Sequence, residues 1–151
     1  MPRFLFPAAL SLFLAAAPAL ATDSDLRSVA GMAQHNRVVL VFSPTLRDPR
    51  LQTQRQIMAR FAAGAAARDL ILVQVSEGRV IGAHDNHPKL RRRFDTPAPR
   101  YRTLLLGKDG KVAIDAAGPI DEPHLKAAID AMPMRREEVR RAKAGEGRAE
   151  D

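Results

Sequence analysis

The chain has 151 residues, a formal charge of +7, no cysteine, no tryptophan and a single tyrosine. Without cysteine it can hold no thiol nucleophile, no thiol–disulfide exchange, no thiolate metal site and no lipid-bearing cysteine. So few aromatic side chains offer no platform on which bases could stack. The positive charge would suit nucleic acid in a cytosolic protein, but the export signal of residues 1–21 argues against that partner.

Residues 1–21 read as an export signal. Arg3 supplies the positive start, Leu5 to Ala17 form an apolar stretch, and Ala19-Leu20-Ala21 gives the small-x-small pattern that signal peptidase cuts. The apolar stretch is shorter than the roughly 20 residues that span a bilayer, and no later stretch is long enough either. Cleavage is therefore expected near Ala21–Thr22, leaving a periplasmic or secreted chain with no transmembrane segment. Residues 22–151 are the size of one ordinary domain, which must hold together by its apolar core alone. Residues 22–36 are polar with scattered Leu26, Val29 and Met32, and read as a lead-in segment.

Val38 to Phe42 is an unbroken apolar run, the pattern of a strand buried on both faces. The stretch that follows, Ser43 to Arg50, lies at the strand's carboxyl end, where ligands collect in open α/β sheets. Ser43 and Thr45 are hydroxyls, but a nucleophile needs a base within hydrogen-bond reach. His35 lies on the far side of the strand, and no G-x-S-x-G turn is present. An anion or small-ligand loop built from Ser43, Thr45, Arg47 and Arg50 is the alternative, with a helix N-terminus behind it. Asp48 and Pro49 mark that helix start, Asp48 as N-cap and Pro49 at the first helical position. Ile57, Met58, Phe61, Ala62 and Ala65 then recur at helical spacing, and Gly64 among them points to a close packing contact.

Leu70 to Val75 is a second buried strand, so strand, helix and strand form a right-handed βαβ unit. Ser76 to His87, with two glycines, reads as loop. Within it His84, Asp85 and His87 offer ligand types that suit zinc, nickel or copper, although the spacing is loose and a further ligand is not evident. The blander reading is a polar loop in which Asn86 or His87 caps the helix that Pro88 opens. Lys89, Arg91, Arg92 and Arg93 on that helix form a candidate docking patch for an acidic partner, where the bland alternative is a solvated face. "YRTLLLGKDGKVAID" reads as a hairpin with a turn at Asp109-Gly110, and its alternating second strand belongs near a sheet edge. Asp121 caps a last core helix with Leu125, Ala128, Ile129 and Met132 facing inward. Residues 133–151 carry little apolar content beyond Met134 and Val139 and are expected to form a basic, flexible tail whose removal costs little.

The order β-α-β-α-β-β-α resembles the thioredoxin arrangement, and "TLLLGKDGKV" resembles the thioredoxin segment that follows its cis-proline. Where thioredoxins carry C-x-x-C this chain has "SPTLRDPRLQ", and where they carry the cis-proline it has Arg102. "VVLVFSP", "ARDLILVQV", "LRRRFD", "LLLGKDGKV" and "IDAMPMRREEVRR" together resemble the bacterial secreted proteins of domain of unknown function 4174, from about Arg37 to Arg141. Related domains in animal extracellular-matrix proteins with sushi repeats are taken as interaction or structural modules, so the resemblance implies fold and export and no particular activity.

The expectation is thus a single α/β, thioredoxin-like domain at 37–132, a mixed sheet of about four strands with helices on both faces. Its expected function is a non-catalytic, non-redox module that needs no cofactor and binds an acidic envelope protein or polymer. The alternative is a small-ligand, anion or metal binder, or a non-redox enzyme, using the loop 43–50.

Overall fold

The computed structural model of the protein describes residues 27–149. The expected export signal at 1–21 and the start of the lead-in lie outside the described residues. Strand β1 is Arg37–Phe42, followed by helices α1, Pro49–Arg60, and α2, Ala62–Ala66. Then come β2, Leu70–Ser76, β3, Arg79–Ile81, α3, His87–Arg93, β4, Arg102–Leu106, β5, Val112–Ala116, α4, Glu122–Asp130, and α5, Pro133–Ala149.

The sheet order is β3-β2-β1-β4-β5. β1 runs parallel to β2, with Val38 opposite Ile71 and Phe42 opposite Val75, as a βαβ unit requires. It runs antiparallel to β4, placing Phe42 opposite Arg102. The sheet has five strands instead of the expected four or so. The additional one, β3, is a three-residue edge strand paired antiparallel to β2 inside the stretch read as loop. Gly82 follows it, and its φ of 89° and closeness to the Leu72 carbonyl, 2.6 Å from where a Cβ would sit, leave room only for glycine. At the opposite edge β5 skips a residue: Leu105 faces Ile114 and Leu106 faces Val112, so Ala113 has no opposite number.

All six residues of β1 are buried, and the period-2 geometry divides them between two cores. Val39 and Val41 pack with Leu51, Ile57 and Phe61 of the α1–α2 region and with Leu125 and Ile129 of α4. Val38, Leu40 and Phe42 pack on the other face with Leu90 of α3 and with Val29 and Met32 of the lead-in. Burying such side chains contributes about 1.5–3 kcal/mol apiece, which is how the domain holds without a disulfide. α1 and α2 are one amphipathic stretch interrupted at Phe61. Gly64 sits one turn on, where a Cβ would run into the Phe61 ring. Buried Gln54 links α1 to the segment before α4: its amide nitrogen donates to the Ile120 carbonyl at 3.1 Å and its oxygen accepts from the Ile120 N–H at 2.7 Å.

The region expected to be a tail begins as α5, and its second turn is joined to the core. Glu138 accepts from both terminal nitrogens of fully buried Arg37, at 3.2 and 3.1 Å, and pairs with Lys108 at 2.7 Å. Burial alone would raise the Glu138 carboxyl, but hydrogen bonds and charge from Lys108 and Arg37 outweigh it and hold the pKa at about 2.

Candidate functional site

Ser43, the first residue past β1, has no exposed surface. Its N–H donates to the Val75 carbonyl at 3.0 Å, which extends the parallel pairing by one rung, and its hydroxyl donates to the Thr45 carbonyl at 3.1 Å. Asp48 caps α1 as expected, accepting from the Arg50 N–H at 2.9 Å. Arg50 folds back over this cap, with its Nη2 at 2.7 Å from Asp48 and its guanidinium 4.3 Å above the Tyr101 ring. The Arg50 hydrogen bond holds the Asp48 carboxyl below its usual range, and burial pushes the Tyr101 hydroxyl up. Of the four residues expected in an anion loop, Ser43 and Arg50 are therefore engaged internally, while Thr45 and Arg47 are exposed.

The strand end is closed from above by a residue whose role the sequence did not single out. Arg91, one of three consecutive arginines in α3, is only 7% exposed. Its Nη2 donates to the Ser43 carbonyl at 3.0 Å and reaches the Val75 carbonyl at 3.5 Å; its Nη1 donates to the Thr96 carbonyl at 3.0 Å. Nε donates to Nε2 of His87 at 3.1 Å, so that imidazole is neutral, consistent with burial and the Arg91 charge lowering its pKa. The carboxyl ends of β1 and β2 thus meet a guanidinium instead of an open crevice. The signal available in the sequence is spacing: Arg91 lies four residues after His87 and three before Phe94, alongside the apolar Leu90–Phe94 stripe.

Arg102 completes the closure. It stands opposite Phe42, donates to both oxygens of Asp115 at 2.8 and 2.6 Å, to the Thr96 hydroxyl at 3.0 Å and to the Phe94 carbonyl. A cis X-Pro bond lies three residues earlier, at Ala98-Pro99.

The polar cluster before α3 serves other ends. Asp85 accepts from the Val29 N–H at 2.7 Å and the His84 N–H donates to the Arg27 carbonyl at 3.1 Å, which together fasten the lead-in over its core. Asn86 caps α3 through the Lys89 N–H at 3.1 Å. Among the described residues no three His, Cys, Asp or Glu side chains converge as a metal site. Of the expected docking patch, Lys89, Arg92 and Arg93 are exposed, whereas Arg91 is withdrawn into the strand-end closure.

The five-stranded mixed sheet, the helices on both faces and the βαβ start define a thioredoxin-like domain, here with serine, proline and arginine where sulfur chemistry would need cysteine. Two solved structures align with the chain. A protein of Chlorobium tepidum named as a thiol:disulfide interchange protein, DsbE, aligns with a TM-score of 0.50 at 17% identity, over 69% of this chain and 91% of that one. StoA from Bacillus subtilis aligns with a TM-score of 0.46 at 14% identity, over 68% of this chain and 92% of that one. No curated protein matches the sequence. The model of the Domain of unknown function (DUF4174) matches residues 28–138, and the chain belongs to that family. No helix of the described residues is long and apolar enough to cross a membrane.

Proposed function

We propose that this protein is an exported, non-catalytic binding module that engages an acidic protein or envelope polymer through the outer face of α3. The observation that carries the reading is the split in the basic run. Arg91 turns inward to brace the strand ends, and Lys89, Arg92 and Arg93 remain exposed with no ion pair among the described residues. What supports it over a ligand loop at 43–50 is that the hydroxyl of Ser43 and the charge of Arg50 are already engaged. Cations on a short rigid helix attract polyanions over about a Debye length, roughly 8 Å at physiological salt.

The test is binding of labelled poly-L-glutamate across a salt series. The wild type is compared with Lys89→Ala/Arg92→Ala/Arg93→Ala and with an equally neutralised control, Arg60→Ala/Lys126→Ala/Arg136→Ala. The expected result is saturable binding that the control keeps and the α3 variant loses by about tenfold, with a shallower salt slope. No binding by the wild type, or equal weakening in both variants, would overturn the reading.

A further inference from the structure

Arg91 is a buried cation without a counter-charge. Among the described residues no carboxylate pairs with it, although burying an unpaired charge costs several kcal/mol. A guanidinium has five N–H donors. Four are used, on His87, Thr96, Ser43 and Val75, which leaves one N–H of Nη1 without an acceptor among the described residues. Arg91 also lines a cavity of about 140 Å³ together with Arg92, Asp95, Thr96 and Pro97. The cavity is large enough for a carboxylate and opens beside the exposed cations of α3. Asp95 shares the lining but makes no ion pair with Arg91, and its backbone φ of 46° places it in the left-handed region.

Resting on the reading above, we infer that this notch is a carboxylate subsite: one acidic side chain of the bound partner enters it and supplies the counter-ion that Arg91 lacks. The exposed α3 cations attract the chain, and Arg91 with Arg92 selects a carboxylate-bearing residue at one position. Asp95 repels that guest and keeps affinity modest.

The probe is hexaglutamate titrated into the isotope-labelled full-length protein, with hexaglutamine as control. The readouts are the Arg91 Nε–H resonance and the amides of Asp95, Thr96 and the α3 residues. All are expected to shift together and saturably with hexaglutamate and not with hexaglutamine. Because Arg91 variants are at risk of not folding, the companion variant is Asp95→Asn, which suits the same backbone and removes the repelling charge. It is expected to tighten binding about threefold. If the α3 amides move while Arg91 Nε–H, Asp95 and Thr96 stay still, the notch falls and the basic-face reading stands. If nothing moves, both fall. Unchanged affinity in Asp95→Asn would also overturn the subsite.

Discussion

Glu138 and Arg37 tie the last helix to the first strand. Arg37 has no exposed surface, and Glu138 is the carboxylate that pairs with it. Removing one partner of such a pair strands the other charge, so Glu138→Gln is expected to lose about 3 kcal/mol at neutral pH. The sign with pH follows from the depressed carboxyl, about 2 when folded against a usual 4.5. This contribution is fully present above pH 4.5 and fades as pH falls toward 2. Urea denaturation of wild type and variant at pH 7 and pH 3 should therefore show a gap that narrows with acid; a constant gap would refute the assignment. Nothing in the sequence reveals this pair. Glu138 sits in a run of charges that reads as solvated, and its partner lies 101 residues earlier. Arg91 was hidden in the same way, by neighbours of the same kind.

Among the elements, those set by local chemistry were legible. Asp48, Asn86 and Asp121 each cap a helix, and the two buried runs pair in parallel as the βαβ spacing demands. β3 was not legible, because three residues between glycines are too short to show alternation. The poor apolar content of α5 suggests a loose tail, whereas its attachment is ionic. Cutting the chain after Arg141 should leave the melting temperature nearly unchanged. Cutting before Pro133 removes Glu138 and should cost several kcal/mol; equal effects of the two cuts in a thermal melt would contradict the docked second turn. Gly64→Ala, a change that ordinarily stabilises a helix by roughly 1 kcal/mol, should destabilise α2, because the added methyl meets the Phe61 ring. A raised melting temperature would show that the ring yields.

For the molecule as a whole, the fold was readable because domain size, periodicity and the hairpin converge on one arrangement. The partner was not readable, since a solvated face and a docking face have the same composition. The absence of cysteine sets one expectation for the entire chain: insulin reduction should not exceed the blank, and reductant should leave the thermal melt unchanged. Turnover above background would refute it.

The two rims of the sheet carry a consequence for the protein's behaviour in crowded solution. One rim is a mere three residues and the other is broken by unopposed Ala113, so neither presents the long, flat row of free backbone groups on which a neighbouring chain could grow. A domain with no covalent cross-link to limit its unfolding is thereby spared a direct route from the folded state to stacked aggregates.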